Sequence, residues 1–365
     1  MTTLRSRAVL SAEPTDAPPR AEPPDAARPT GRDPWFDNIK MTIVTLVVVG
    51  HSLTLLPHNL VQSSAYTFLY AWHVPAFVIV TGHLSRSFAW TPAKLIALVR
   101  TVAVPYVIFE AALAAFRYGV GGVKLDDLFA DPHWPMWYLS ALFFWRLMAP
   151  AFLRLPKGPA LVVAVAISLV AGMYATNILD MARIFGLLPF FVLGLRLGDR
   201  EWAWARCRRA VPWALVGFAA VLVFTVTTDS WIATEWYYYR SRYDALEPNS
   251  LDAIGIRALL LLVGLIGAVS CFALVPRVRG WFSTLGAATL VVYLFHGFFV
   301  LTAQYEGFPD WADQHVFSSF ALTTTAAVLL ALVLAAPPVA RMLNVAVDPV
   351  GWLVRHRPGR EPATA

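Results

Sequence analysis

The chain has 365 residues, of which 58% are hydrophobic and only 14% charged, with a net charge of +6. A soluble globular protein carries about 25% charged residues, so the composition excludes an ordinary soluble domain, and recurring apolar stretches of about 20 residues signal a polytopic membrane protein. The two cysteines, Cys207 and Cys271, indicate no disulfide framework, and no basic–aromatic pattern suggests nucleic acid.

Residues 1–31 are rich in Pro, Ala and Asp, lack an apolar h-region, and read as a disordered cytoplasmic tail rather than a signal peptide. Ten spans follow, at about 39–57, 66–86, 97–116, 136–153, 159–174, 181–198, 211–228, 254–275, 282–303 and 317–337. An even count puts both termini on one side. With the N terminus inside, only Arg117, Lys124, Arg183, Arg240, Arg242 and Arg257 of the 29 Lys and Arg fall on the outer side, so the positive-inside rule fixes the orientation. The expectation is an all-α, multi-pass membrane protein with both termini cytoplasmic. Its membrane domain covers 32–340, and 341–365 form a cytoplasmic C-terminal tail. The setting is the cell's plasma or inner membrane.

The first span is the most informative. Residues 30–51 read TGRDPWFDNIKMTIVTLVVVGH, a charged approach, then ten residues without charge, then His51. Lys40 and His51 are eleven positions apart, which is about three helical turns, so both side chains share one helix face roughly 16 Å apart. An ionisable group buried in a bilayer is a functional-site hypothesis by default. His73, in YAWHVPAFVIVTGHL, and His296, in VVYLFHGFF, each lie about seven residues below the outer end of their spans, as His51 does. At 1.5 Å per residue all three sit about 10 Å beneath the outer surface. They form one constellation, or else each is a core histidine bonded to a neighbouring carbonyl or hydroxyl. A metal site is disfavoured, since no carboxylate or thiol lies close to them in sequence and no HxxxH or HExxH spacing occurs.

Other polar groups offer two readings each. Glu110, buried in the third span, either orients a histidine or pairs with another helix. Arg183 anchors to lipid headgroups or faces a cavity, and Trp137 and Tyr138 read as interfacial belt residues. The outer stretches 229–253 and 304–315 are rich in aromatics and carboxylates. They serve as an aromatic belt or as a surface on which sugar rings stack. On the inner side Arg32, Lys40, Arg86, Lys94 and Arg100 make a basic mouth. That is ordinary topology, or a place for a phosphate-rich ligand. No soluble-enzyme signature occurs: no GxSxG, no Walker loop, no dinucleotide fingerprint.

Four stretches in order resemble the membrane-bound acyltransferase-3 family, which includes fucose-4-O-acetylase-like and other O-acetyltransferases. FDNIK followed by GH is similar to its signature of a basic residue, ten others and a histidine, here Lys40 and His51. HVPAFVIVTGHLSRS resembles its His-x-Pro-x-Phe…Ser-Gly motif, with Thr81 in place of the serine before Gly82. RIFGLLPFFVLGLRLG and TLVVYLFHGFFV resemble its Leu-Pro-Phe-Phe…Gly and Tyr-Leu-x-His segments. The likeness covers about 32–340. Many members have an Arg-x-x-Arg pair in the first inner loop; here Arg100 fits the second place but Ala97 occupies the first, and Lys94 stands one turn away. Many members also carry an extracytoplasmic domain, for which the residues after 340 leave no room.

The resemblance implies an O-acyltransferase with acyl-CoA, typically acetyl-CoA, as donor and a hydroxyl of an envelope glycan or small glycoside as acceptor. Lys40, Arg100, Lys94 and Arg32 are the expected donor-binding cations at the inner mouth. His51 is the expected general base, or the nucleophile that carries the acyl group, above Lys40 on the same helix. His73 and His296 are expected to hold the oxyanion or orient the acceptor. A transporter or flippase for a glycan or small molecule is the alternative, and a non-catalytic scaffold gives no reason for buried histidines.

Overall fold

The computed structural model describes residues 33–124, 129–174, 176, 178–247 and 249–355. The expected N-terminal tail and Arg32 lie outside them. The unit from Pro34 onward carries every helix considered below. Among the described residues there is helix and no strand. In a bilayer each backbone N–H and C=O must be paired within its own segment, so even the β-branched run IVTLVVV is held helical.

The principal helices are α1 (Pro34–Ser52), α2 (Leu60–Leu84), α3 (Pro92–Gly121), α4 (Trp137–Arg154), α5 (Lys157–Tyr174), α6 (Met181–Gly186), α7 (Leu188–Arg196), α8 (Ala210–Thr228), α9 (Ser250–Leu274), α10 (Thr289–Tyr305), α11 (Val316–Ala335) and α12 (Pro337–Val347). Each of the ten expected spans coincides with one of these or with a pair. Seven helices are long and apolar enough to cross a membrane, and eight if the bent pair before Arg196 counts as one span. The fourth and ninth expected spans fall short for physical reasons. α4 carries Arg146 in its middle and Arg154 in its last turn, and α10 is only 17 residues long, set off from Trp281–Leu285 by a break at Gly286–Ala288. The expected C-terminal tail is helical as far as Arg355, in α12 and in Pro349–Arg355.

Helix ends follow local chemistry. Asn59 Oδ1 caps α2 by accepting from Gln62 N at 3.0 Å, and Pro92 follows the Thr91 cap of α3. α3 contains a π-helical stretch at Val99–Ala103 around Arg100. The sixth expected span is broken: α6 and α7 meet at 56°. Pro189 supplies no N–H to the turn before it, which frees the chain to bend there.

α2 is the axis of the bundle, packed against α1, α7, α8 and α9. Its approach to α7 is backbone on backbone. A Cβ at Gly82 would overlap the Phe191 carbonyl, and one at Gly194 would overlap that of Ile79. Small residues let membrane helices approach this closely and gain van der Waals packing where no hydrophobic drive exists. α1 is buried along most of its length, with Trp35, Ile39, Ile43, Val44 and Val48 almost fully enclosed. Asn38 ties its base down by donating to the carbonyls of Pro276 (2.8 Å) and Val278 (3.0 Å).

Candidate active site

His51 is the penultimate residue of α1, and the chain tightens into a 3₁₀ turn at Leu53–Leu55 just beyond it. That turn is fixed from three sides. Ser52 Oγ donates back to Val48 O at 2.8 Å, Thr54 Oγ1 donates to His51 O at 2.7 Å, and Gln62 Nε2 reaches from α2 to Leu53 O at 3.1 Å. The imidazole therefore sits on a rigid corner rather than mid-helix. Its helix ends earlier than expected, and α2 begins earlier, so His73 lies near the middle of α2. The rings nonetheless come to one place: His51 meets His296 at 2.8 Å and shares a cavity wall with His73.

His51 Nδ1 lies 2.8 Å from His296 Nε2, with the two rings stacked 5.0 Å apart. His296 is wholly enclosed, and its Nδ1 stands 2.7 Å from Tyr293 O and 3.2 Å from Val292 O. A carbonyl only accepts, so the network assigns the His296 proton to Nδ1 and leaves its Nε2 as an acceptor. His51 must then donate from Nδ1, and its proton-free nitrogen is Nε2. That nitrogen holds no hydrogen bond among the described residues. His73 follows the same logic. Its Nδ1 is 2.8 Å from Leu69 O, so its proton is committed to the backbone and its Nε2 is free to accept.

His51 and His73 line one cavity of ≈310 Å³. Its walls are mainly aromatic: Tyr66, Tyr70, Trp134, Trp137, Tyr138 and Tyr238. Trp134 packs directly on His51, with ring centroids 4.3 Å apart. The phenols are largely committed to one another or to backbone. Tyr138 donates to Thr81 Oγ1 (2.5 Å), whose own proton goes to Phe77 O (2.8 Å). The Tyr293 hydroxyl donates to Pro135 O, and the Tyr66 and Tyr238 hydroxyls meet at 2.8 Å. Burial, then the neighbouring Tyr66, pushes the Tyr238 phenol well above its ordinary pKa, so it stays a neutral rim group.

Arg183 supplies the charge on this wall. Its Nη1 donates to Asp180 at 3.0 Å, its Nε to Tyr238 O at 3.1 Å, and its guanidinium lies 4.9 Å from the Trp137 ring centre. Arg240 joins the same wall, bonded to Asp131 at 2.7 and 2.9 Å. Asp180 and Leu179 hold left-handed backbone (φ 57° and 52°) where the chain turns into α6. Such conformations are uncommon for residues with a side chain and cluster at functional sites.

Of the expected site residues, His51, His73 and His296 come together. Arg183 faces the cavity, as do Trp137 and Tyr138, which the sequence suggests as belt residues; Tyr237 and Tyr238 of the aromatic outer stretch join them. Lys40, Lys94 and Arg100 do not line this cavity. Lys40 pairs with Asp37 at 2.7 Å, Arg100 lies 3.6 Å from Asp348, and Lys94 Nζ donates to Ser87 O. Glu110 is fully buried and accepts from the backbone and the ring of His133. His133 and Trp134, in PHWPMWYL, are the additions that sequence alone did not single out. The run of aromatics and prolines after the third span was the available signal. Among the described residues no three His, Cys, Asp or Glu side chains are arranged to hold a metal ion.

The fold and the cavity define a multi-pass membrane protein in which His51, hydrogen-bonded from behind by the enclosed His296, opens onto an aromatic, arginine-edged chamber. The family comparison agrees with that class: an acyltransferase domain model matches residues 33–336, and the chain belongs to that acyltransferase family. No curated protein and no solved structure matches the chain.

Proposed function

We infer that the protein moves an acyl group, typically acetyl, from cytoplasmic acyl-CoA to a hydroxyl of a cell-envelope glycan or small glycoside, with His51 Nε2 as general base. The observation that carries this reading is the directed chain His51 Nδ1–His296 Nε2, His296 Nδ1–Tyr293 O. It holds His51 in the one neutral tautomer whose lone pair is available on Nε2, which is what a base acting on a hydroxyl needs.

The step balances simply. His51 Nε2 takes the hydroxyl proton as the acceptor oxygen bonds to the thioester carbonyl carbon. The tetrahedral intermediate then expels the thiolate, which leaves with the proton from His51 as free CoA. His296 does not touch substrate in this scheme. It orients His51 and supports the imidazolium through the backbone carbonyls behind it. His73 meets the chamber with an accepting nitrogen, which suits orienting the acceptor hydroxyl better than holding an oxyanion. Arg183, with Nη2 uncommitted among the described residues, is the charged donor on the wall for the developing oxyanion.

The donor approaches from the cytoplasm, with both termini on that side. Lys40, about three turns below His51 on the same face, and Arg100 then receive the polyanionic end of CoA. For that, Lys40 must exchange Asp37, and Arg100 must exchange Asp348, for phosphate. The test is to incubate inverted membrane vesicles with acetyl-CoA labelled in the acetyl group. Label on an envelope-derived acceptor with release of free CoA supports the reading. A glycan that crosses the membrane unlabelled, with no CoA released, supports the transporter instead.

A further inference from the structure

Beside the histidine chamber, at the same end of the bundle, lies a second space of ≈370 Å³ whose wall is mostly charge: Arg117, Asp131, His133, Arg183 and Arg240, with Trp134. Trp134 faces both spaces and packs on His51, so one indole ring separates a molecule seated here from the His51 imidazole. Three of the wall's groups are guanidiniums. Two of them are answered: Arg240 by Asp131 at 2.7 Å, and Arg183 by Asp180 at 3.0 Å, with Asp180 also 3.9 Å from Arg240. The third, Arg117, in the last turns of α3, has no ion pair or hydrogen bond from its side chain among the described residues. It also borders the neighbouring cavity formed with Gln304 and Tyr305. Glu110 does not cancel it, because that carboxylate is bound to His133 and wholly buried.

We propose that Arg117 is an anion-binding, specificity-determining residue, and that the acceptor of the reaction carries a carboxylate or phosphate group that it holds, with Trp134 stacking on the adjoining ring. The unbalanced positive charge, its fork of donors and its position one indole from His51 define a subsite for a sugar-sized acid rather than for a neutral glycan. The charges of Arg183 and Arg240 are balanced by Asp180 and Asp131, which leaves Arg117 as the wall's uncompensated cation among the described residues. The assignment of this molecule as the acceptor rests on the acyl-transfer reading above; the anion preference does not.

The experiment therefore reads binding apart from transfer. The full chain, purified in detergent, is titrated with D-glucuronate, D-glucose 6-phosphate and D-glucose while tryptophan fluorescence is followed. A charge-assisted hydrogen bond in a half-enclosed site corresponds to about 10- to 100-fold in affinity. Glucuronate or glucose 6-phosphate should bind at least about tenfold tighter than glucose, and the arm with the larger advantage identifies the acid. Arg117→Gln should bring all three within about twofold of one another, while Arg117→Lys keeps part of the preference. Because the Arg117 side chain has no partner to lose among the described residues, both variants should fold. Equal binding of charged and neutral sugars by the wild type, or a preference unchanged in Arg117→Gln, overturns the subsite. His51→Ala should keep the preference while losing transfer; if instead the wild-type protein shows the Arg117-dependent preference but moves no acetyl group, the subsite stands and the acyltransferase reading is refuted.

Discussion

Replacing His296 by phenylalanine removes the acceptor that fixes the His51 ring while keeping a flat ring of similar volume in a slot with no solvent exposure. Two things follow from the 2.8 Å bond it deletes. The His51 Nδ1–H is left buried without a partner, at a cost of about 1–3 kcal/mol. The ring is also free to place its proton on Nε2, the form that cannot act as a base toward the chamber. If that cost falls on the reactive arrangement, one factor of ten per roughly 1.4 kcal/mol gives a loss of about 5- to 150-fold in kcat. In the proposed scheme the donor does not touch His296, so KM for acetyl-CoA should stay close to the wild-type value. His296→Gln, whose amide oxygen can accept, should recover part of the rate. The assay is release of free CoA thiol from acetyl-CoA by the protein in nanodiscs, with thermal unfolding recorded on the same samples. A kcat for His296→Phe equal to wild type, in a folded sample, would refute the argument that this bond sets the tautomer.

Other outcomes can be checked the same way. Lys40→Ala should weaken acyl-CoA binding, measured by equilibrium dialysis, while leaving the unfolding midpoint near wild type; an unchanged affinity would remove its donor role. Gly82→Ala forces a methyl into the Phe191 carbonyl across the α2–α7 seam. It should destabilise by about 1–3 kcal/mol or more, visible as a lower midpoint, and an unshifted midpoint would show that the seam can open freely. Glu110→Ala strips the fully buried partner from His133. It should displace Trp134 and lower both stability and transfer, whereas full activity with normal stability would separate this pair from the site.

Most of the architecture was legible because hydrocarbon is a demanding solvent. Runs such as LVGLIGAVSCFAL admit one backbone solution, so helix positions follow from hydropathy alone. Where polarity and backbone chemistry compete with that rule, the reading blurs. Arg146 takes α4 below the hydropathy of a free-standing span, and Pro189 breaks the sixth span in two. The histidines were legible because an ionisable group in an apolar run stands out, and their rings meet although the first helix ends at Ser52 and the second starts at Leu60, both earlier than expected. The link from His51 to His296 was not legible, since it depends on which faces of α1 and α10 meet, and that is decided by packing. His133 and Trp134 were missed for a related reason. They lie between spans, where position comes from Glu110 on another helix and not from any period in their own sequence. The aromatic stretch at 229–253 was readable as belt or as site; tertiary folding turns Tyr237 and Tyr238 inward to the chamber.

The most direct test of the central claim compares His51→Ala with wild type for two quantities in one membrane preparation: affinity for CoA, and transfer of labelled acetyl to acceptor. Loss of a general base typically costs about 10²–10⁴ in rate. The account predicts transfer reduced by that factor with CoA affinity retained, and acetylation by His51→Ala at the wild-type rate would contradict it.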